Sequence, residues 1–290
     1  MRHAGSIGVE EAVRKATRDL QRAGVGSPRV DAEHLLALVL GAERSEVVRR
    51  RLLGCELTAE ESSAYADLVE QRGQRVPLQH LTGVVDFAGL RLRVGPGVFV
   101  PRPETELLVQ RARQVLSDLA DPVVVDLCTG SGAIALAVHH HVPGAEVHAV
   151  DLSDSALAWA RQNVATTGLD VQLRREAAAT SCSELLGQVD LVTCNPPYIP
   201  PGAVPVDPEV ADHDPPMALY GGGSDGLEIP LASARRAAEL LRPGGVLLLE
   251  HGEAQGAALT AAVERSGSWA YVIDHADMSA RPRLLEATRS

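Results

Sequence analysis

Apolar residues in the first quarter of the chain recur at helical spacing. Three segments show this pattern, at residues 10–23, 28–40 and 58–75. The third begins with Thr58-Ala59-Glu60-Glu61, which has the hydroxyl and carboxylate spacing of a capping box. We therefore predict a helical N-terminal domain over residues 1–76.

The periodicity then changes from helix to strand. Residues 87–94 alternate apolar and polar side chains ahead of Gly95-Pro96-Gly97, a pattern typical of a β-hairpin. From Val123 onward, short apolar runs alternate with helical segments, which favours a largely parallel sheet covered on both faces. We predict a linker with a hairpin over residues 77–100 and an α/β domain over residues 101–290.

A glycine-rich turn follows the first strand of the α/β segment. The strand 123–127 runs into Cys128-Thr129-Gly130-Ser131-Gly132 and an apolar helix, and a second strand ends at Asp151. Glycines allow close approach of a ligand, a helix N-terminus offers free N–H groups, and an acid about 20 residues on suits a ribose diol. The unit indicates nucleotide binding. It also fits the looser dinucleotide pattern, so a nicotinamide-dependent dehydrogenase remains an alternative.

The tetrapeptide Asn195-Pro196-Pro197-Tyr198 directly follows another apolar strand, 190–194. Its prolines lack N–H groups, so the turn presents carbonyl oxygens beside an Asn amide and an aromatic ring. Such a group suits a planar NH2 that donates two hydrogens, although a rigid proline turn with a packing tyrosine is the plain structural alternative. A binding site for an amino group favours methyl transfer to nitrogen over hydride transfer.

The chain resembles the N5-glutamine methyltransferases that modify peptide chain release factors. The resemblance runs from about Pro77 to the C-terminus. It is carried by residues 77–83, 99–106, 128–132, Asp151, 195–198, Asp214-Pro215, Ala218-Leu219, Gly221-Gly222, 225–227, 243–245, Glu250 and 281–283. The family usually has an acid and a large apolar residue near the adenine, whereas this chain has Arg175-Glu176-Ala177-Ala178-Ala179 there.

The resemblance implies a Rossmann-like, seven-stranded methyltransferase domain that uses S-adenosyl-L-methionine and releases S-adenosyl-L-homocysteine. It implies a glutamine acceptor in the Gly-Gly-Gln loop of class I release factors, with the N-terminal helices recognising that protein. The residues implied for cofactor contact are Cys128, Thr129, Gly130, Ser131, Gly132, Asp151 and Asn195. Those implied for substrate binding are Asn195, Pro196, Pro197 and Tyr198, and we expect Asn195, Pro196 and Tyr198 to be catalytic.

Composition bears on the partners rather than on the reaction. The 290-residue chain has a net charge of -11 and a pI near 5.4. It therefore lacks the excess of basic residues that is typical of proteins that bind the phosphate backbone of nucleic acids. A protein substrate is therefore favoured over a nucleic-acid amine, which stays an alternative, as does a non-enzymatic module. The four cysteines lack C-x-x-C spacing, and no apolar run reaches the length of a membrane span. We expect a cytoplasmic monomer without a metal.

Several other segments have a plain structural interpretation. His139-His140-His141 point in different directions on a helix and predict a solvated helix end. Arg49-Arg50-Arg51 predict a solvated helix face, and Trp159 a packing residue that could also shield the cofactor. Residues 199–226 form a long Pro- and Gly-rich stretch, for which we predict a substrate-docking loop with an acidic surface at Asp207, Glu209, Asp212 and Asp214.

Overall fold

The computed structural model describes residues 7–290 as two compact units. One unit contains residues 7–84 together with Pro205–His213, and the other contains Val85–Val204 and Asp214–Ser290. The helices, in chain order, are α1 (Val9–Arg22), α2 (Pro28–Val39), α3 (Arg44–Leu52), α4 (Ala59–Gly73), α5 (Leu78–Thr82), α6 (Glu106–Leu116), α7 (Ala133–His141), α8 (Asp154–Thr167), α9 (Pro208–His213), α10 (Pro216–Leu219), α11 (Glu228–Leu240) and α12 (Gly256–Arg265). The functional domain boundaries that we predict at residues 76 and 100 remain predictions.

Over residues 7–290 the strands divide among three sheets. They are β1 (Ile7–Gly8), β2 (Glu56–Leu57), β3 (Val84–Phe87), β4 (Leu90–Arg93), β5 (Val123–Leu127), β6 (Glu146–Asp151), β7 (Val171–Arg175), β8 (Val189–Cys194), β9 (Leu241–Glu250), β10 (Trp269–Ala276) and β11 (Pro282–Arg289). Strands β1 and β2 pair, β3 and β4 pair on either side of Ala88-Gly89, and the other seven form one sheet. The hairpin predicted within residues 77–100 therefore turns inside the alternating run 87–94, and not at Gly95-Pro96-Gly97.

The helical unit buries one stripe of each main helix. Leu20, Leu35, Leu36 and Tyr65 meet in its core, and the Tyr65 hydroxyl donates to the Ala32 carbonyl over 2.9 Å. The capping box predicted at the start of α4 is present, because Thr58 and Glu61 exchange side-chain to backbone hydrogen bonds. The three predicted helices are confirmed as α1, α2 and α4.

Helix α3 corrects the interpretation of the three arginines. Arg49 is exposed, but the side chain of Arg51 is only 13% exposed and pairs with Glu33 at 2.7 Å and with Glu10 at 2.7 Å. Glu33 is itself buried and also accepts from Arg29 and Arg44. Cationic partners offset the cost of burying the Glu33 carboxylate, so Arg51 supports the helical core rather than a solvated face.

The large sheet has the order β10-β11-β9-β8-β5-β6-β7. Strands β9, β8, β5, β6 and β7 are parallel, while β11 runs antiparallel to both β9 and β10. Leu108, Leu116 and Leu136 from α6 and α7 pack on one face, and Leu240 and Leu259 from α11 and α12 pack on the other. The predicted α/β sheet, largely parallel and covered on both sides, is confirmed. Within residues 7–290, no helix combines the length and hydropathy that a bilayer span requires.

Candidate active site

The order of the strands brings the two sequence motifs together. After β5 the chain moves outward to β6 and β7, and then returns to place β8 on the other side of β5. Leu127 pairs with Cys194 in the last step of the β5–β8 ladder, so Cys128 and Asn195 both follow at the carboxyl edge. Open α/β sheets bind ligands at such a reversal of strand order.

The glycine turn has backbone geometry that favours small residues. Cys128, Gly130 and Gly132 have φ of 58°, 59° and 81°. A Cβ at Gly132 would lie 3.4 Å from Ala160 Cβ and from Leu136 Cδ1, where helices α8 and α7 approach the turn. Gly132 therefore combines a left-handed backbone with tight helix packing, and α7 begins at the next residue.

A buried carboxylate supports this turn from below. Asp126 accepts a hydrogen bond from Thr129 Oγ1 at 2.6 Å and another from Thr193 Oγ1 at 2.7 Å. It is completely buried, and this desolvation raises its pKa to about 7 against the opposing hydrogen bonds. Asp126 thus joins β8 to the glycine turn, a role that the sequence did not reveal.

Asp151 lies at the end of β6, as predicted, and its carboxylate faces the glycine turn. Its Oδ2 accepts from the Gly130 N–H and its Oδ1 from the Ser153 N–H, both at 2.8 Å. Burial raises the pKa of Asp151, and these backbone hydrogen bonds oppose the rise. The predicted ribose-binding carboxylate is therefore also a brace of the turn.

Asn163 on α8 is a further support that sequence reasoning missed. Its Nδ2 donates to the Ser131 carbonyl at 2.9 Å and to the Arg93 carbonyl at 3.0 Å, and its Oδ1 accepts from the Arg93 N–H at 2.6 Å. One buried side chain therefore connects the glycine turn to the β3–β4 hairpin. The only signal in the sequence was an isolated amide on an otherwise apolar helix face.

The residues around the glycine turn fit a nucleotide cofactor. The turn lacks side-chain bulk at Gly130 and Gly132, it opens onto the N-terminus of α7, and a carboxylate stands beside it. Trp159 does not extend this surface in the structure: its ring packs on Gly95, and its Nε1 donates to the Pro96 carbonyl at 3.2 Å. The packing interpretation of Trp159 is the one that these contacts support.

The segment at 175–179 lies next to Asp151. The Glu176 N–H donates to the Asp151 carbonyl at 3.2 Å, and the Glu176 carboxylate accepts from the Cys182 N–H at 2.8 Å. Ala178–Thr180 then form a short 3-10 turn. The Glu176 carboxylate thus binds the backbone of its own loop. Residues 177–179 are alanines, where the family resemblance leads us to expect a large apolar residue.

The amide clamp, which we define as residues 195–198, follows β8. Pro196 and Pro197 are buried, whereas Asn195 and Tyr198 are half-buried. Asn195 Nδ2 donates to Thr105 Oγ1 over 3.3 Å. Among the residues that the structure describes, none donates to the Pro196 carbonyl. The turn therefore keeps hydrogen-bond acceptors available, as its sequence predicted.

The clamp backbone is held by close packing with residues 214–227. A Cβ at Gly221 would lie 2.0 Å from the Gly226 carbonyl oxygen and 2.7 Å from that of Pro197. Gln255 Nε2 donates to the Tyr198 carbonyl at 2.7 Å and to the Asp225 carbonyl at 2.8 Å. Burial, joined by the nearby Glu250, raises the pKa of Tyr198 to about 12, so its hydroxyl stays protonated at neutral pH.

The acidic surface predicted for residues 199–226 is only partly present. Glu209 pairs with Arg72 at 2.7 Å and with Arg75 at 2.5 Å, all within the helical unit. The Asp214 side chain is fully buried and pairs with Arg102 at 2.8 Å. Two of the four acids are thus neutralised inside the protein, and Asp207 and Asp212 remain exposed.

The histidine run ends α7 as predicted, but it is only partly solvated, because His140 is exposed whereas His139 and His141 are half-buried. His141 Nε2 lies 3.0 Å from the Ala88 carbonyl, and burial lowers the pKa of His139. Over residues 7–290, no group of histidine, cysteine, aspartate and glutamate side chains has the arrangement of a metal site.

Comparison with known proteins gives the class first. A profile of the methyltransferase small domain matches residues 90–207, and a profile of the PrmC N-terminal domain matches residues 11–83. The solved T. thermophilus 16S rRNA N2 G1207 methyltransferase, in complex with AdoMet and guanosine, has a TM-score of 0.52 at 22% identity, covering 71% of this chain and 50% of that one, which shows a shared fold. The protein is a methyltransferase, and the prediction of S-adenosylmethionine as its cofactor is confirmed.

Two curated relatives identify the family. A "release factor glutamine methyltransferase" of Streptomyces coelicolor is 46% identical over 96% of this chain and 97% of its own length. One of Mycolicibacterium smegmatis is also 46% identical, over 96% of each chain. The chain belongs to the release factor glutamine methyltransferase family. The dehydrogenase interpretation of the glycine turn is thereby excluded, and the roles of individual site residues stay predictions.

Proposed function

We propose that this protein transfers the methyl group of S-adenosyl-L-methionine to the side-chain amide nitrogen of the glutamine in the Gly-Gly-Gln loop of class I peptide chain release factors. The observation that carries the proposal is the amide clamp, whose open acceptors adjoin the glycine turn across the β5–β8 ladder. Membership of the family supports this choice of substrate. The net charge of -11 supports a protein rather than a nucleic acid as the acceptor.

The reaction needs a positioned amide more than it needs a strong base. An amide nitrogen is a poor nucleophile, because its lone pair is delocalised into the carbonyl. Asn195 Oδ1 and the Pro196 carbonyl accept its two N–H bonds, which orients the nitrogen and stabilises the positive charge that develops there. The Tyr198 ring covers the amide plane and excludes water. The excess proton on nitrogen leaves after transfer, since an N-methylated cationic amide is strongly acidic.

Residues of the glycine turn hold the cofactor in this proposal. Cys128, Thr129, Gly130, Ser131 and Gly132 present backbone, and Asp151 presents its carboxylate to the ribose. When bound, S-adenosylmethionine supplies an electrophilic methyl group on sulfur. Asn195 lies at the border of the two sites, where it contacts both the cofactor and the acceptor amide.

The helical unit and the exposed part of residues 199–226 recognise the protein substrate. Among the described residues, neither region carries side chains arranged for chemistry, and Asp207 and Asp212 offer exposed negative charge to a basic surface. We propose a monomeric enzyme that does not bind nucleic acid directly. Because release factors act on ribosomes, it works in the cytoplasm.

Radiolabelled S-adenosylmethionine tests the proposal. The protein is incubated with unmethylated release factor or with a variant whose Gly-Gly-Gln glutamine is replaced by alanine. We expect label only on the intact factor, and mass spectrometry should place it on that glutamine. Label on both factors would show a different acceptor, and an unlabelled intact factor, with cofactor binding confirmed by calorimetry, would overturn the substrate assignment.

A further inference from the structure

A buried carboxyl group beside the amide clamp has no role in the mechanism above. Glu250 is the last residue of β9, is only 4% exposed, and has a carboxyl oxygen, Oε2, without a hydrogen-bond partner. Burying a carboxylate is costly, and an unsatisfied oxygen adds to that cost. A buried, incompletely hydrogen-bonded carboxyl group such as Glu250 at the edge of an active site is therefore a candidate for a functional role.

The sheet places Glu250 next to Asn195. Strands β8 and β9 are parallel and Cys194 pairs with Leu249, so Asn195 and Glu250 follow side by side at the carboxyl edge. Thr105, in the 3-10 turn before α6, is also buried and accepts from Asn195 Nδ2 at 3.3 Å. The Asn195 amide is thus bordered by a hydroxyl and a carboxyl on its inner side.

The orientation of the Asn195 amide decides whether the clamp can work. An asparagine side chain carries a donor end and an acceptor end of similar shape, and only its neighbours select between the two orientations. An ionised carboxylate can only accept, so it attracts Nδ2. Thr105 can donate its hydroxyl proton to the carboxylate while its oxygen accepts from Nδ2. Both neighbours therefore turn Nδ2 inward and leave Oδ1 to face outward.

We propose that Glu250, acting with Thr105, is the positioning residue that holds Asn195 with its acceptor oxygen towards the substrate amide. This inference rests on the proposed function, because it assigns the cause of the clamp geometry used there. When protonated, Glu250 presents an O–H donor to the same amide, which attracts Oδ1 inward and removes the acceptor from the clamp. The clamp then works only when Glu250 is ionised.

The charges around Glu250 set the pH at which this change occurs. Burial raises the pKa of Glu250 to about 7, Thr105, Arg283 and Asn195 oppose the rise, and Glu104 adds to it. Tyr198, the other titratable neighbour, has its pKa raised to about 12 and remains neutral. His251, next on the chain, is turned to Asp274, with Nε2 3.0 Å from Oδ1. The methyl-transfer rate should therefore rise with pH through about 7.

Single-turnover rates from pH 5.5 to 8.5 test this, with the full protein, S-adenosylmethionine and release factor. We expect the rate of the Glu250→Gln variant to lose the rise near pH 7 and, at the upper end, to be about tenfold below that of the wild type. Cofactor affinity and KM for the factor should stay within twofold. The matched control is Glu264→Gln, an exposed glutamate on α12, which should keep the wild-type profile. An unchanged profile in Glu250→Gln would overturn the inference.

Thr105→Val provides a second variant in case Glu250→Gln does not fold. It removes a hydrogen bond that lowers the pKa of Glu250, so the midpoint of the rate profile should move to higher pH. The maximal rate should also fall, because Nδ2 loses an acceptor. A merely structural role of Thr105 would reduce the rate without moving the midpoint, and that result would contradict the inference.

The side-chain amide can also be observed without turnover. The chain contains two asparagines, Asn163 and Asn195, so ¹⁵N-asparagine labelling gives two side-chain NH2 signals, assigned by loss of one in Asn195→Asp. We expect the Asn195 signal to titrate near pH 7 in the wild type and not in Glu250→Gln, while Asn163 serves as the internal reference. An Asn195 signal that shifts neither with pH nor with the Glu250→Gln substitution would refute the role of Glu250. A wild type that shows the titration but never methylates release factor would instead refute the proposed function.

Discussion

At the scale of single residues, the site depends on buried carboxyl groups that brace the glycine turn and border the amide clamp. Asp126 braces the glycine turn through Thr129 and Thr193, and Asp151 holds the Gly130 N–H. Glu250 stands beside Asn195 in the same way. Each of these acids has a pKa raised by burial, which is the electrostatic cost of placing a charge at the edge of the site.

Removal of the Asn195 side chain should affect the chemical step. By comparison with the loss of a single stabilising group in other active sites, Asn195→Ala should cost about 3 kcal/mol, or roughly 100-fold or more in rate. The side chain donates to Thr105 and does not support the glycine turn, so cofactor affinity should fall far less than the rate, by no more than the loss of the Asn195 contact itself. Single-turnover kinetics and calorimetry separate the two effects, and a near-normal rate would remove Asn195 from the mechanism.

Replacement of Asp151 should weaken cofactor binding more than it slows the chemical step. Asp151→Ala removes the carboxylate assigned to the ribose and also frees the Gly130 N–H that it now holds. Cofactor affinity should therefore fall by about tenfold or more, since a charged hydrogen bond contributes about 1.5–3 kcal/mol. Calorimetric titration with S-adenosylhomocysteine measures this directly. An unchanged Kd would exclude Asp151 from the cofactor site.

At the scale of elements, the clamp depends on close backbone packing. Residues 214–227 reach the clamp only because Gly221 and Gly226 have no side chains, and Gln255 then ties Tyr198 to Asp225. The long stretch after the clamp is thus an ordered part of the site over its second half. Its sequence, rich in glycine and proline, predicted a loop but not this packing.

Gly221→Ala should disturb the clamp without touching the cofactor turn. The added Cβ would meet the carbonyl oxygens of Gly226 and Pro197, which cannot move independently of the clamp. Overpacking of this kind costs about 1–3 kcal/mol, so Tm should fall by roughly 2–10 °C, and the rate should fall with it. Gly26→Ala is the matched control, because a Cβ there meets nothing within 4 Å. Equal Tm values for the two variants would contradict the packing argument.

At the scale of the whole molecule, the compact units do not follow the order of the chain. Residues 205–213 lie within the long stretch after the clamp, yet they belong to the helical unit. Glu209 on α9 provides the reason, since it accepts hydrogen bonds from Arg72 and Arg75. Burial acts to raise its pKa, but hydrogen bonds from Arg75 and Arg72 prevail and lower it to about 2.

Loss of the Glu209 charge should release this segment. Because the folded-state pKa is lowered, the pairing stabilises the segment above the ordinary glutamate pKa and is lost as pH falls towards about 2. At neutral pH, Glu209→Gln should raise amide hydrogen exchange in residues 205–213 about tenfold, while the core of α1 and α2 stays protected. Asp212→Asn, at an exposed acid of the same helix, is the control. Equal exchange in both variants would show that the ion pairs do not hold the segment.

The sequence by itself determined the elements and both motifs of the site. Helical and strand periodicity gave α1, α2, α4 and the parallel strands, because the spacing of apolar residues follows directly from backbone geometry. The glycine turn, Asp151 and residues 195–198 were also evident, since their chemistry resides in contiguous residues. The resemblance carried by these and other motifs pointed to the family that the relatives confirm.

Only the tertiary structure decided which distant side chains support those motifs. Asp126, Asn163, Thr105 and Glu250 each act through at least one partner that lies far away in sequence, and periodicity carries no information about such pairs. The neutralised acids Glu209 and Asp214 and the paired Arg51 likewise looked solvated until their partners were located. The physical reason is that burial and ionic pairing are properties of the packed chain, and local sequence specifies neither.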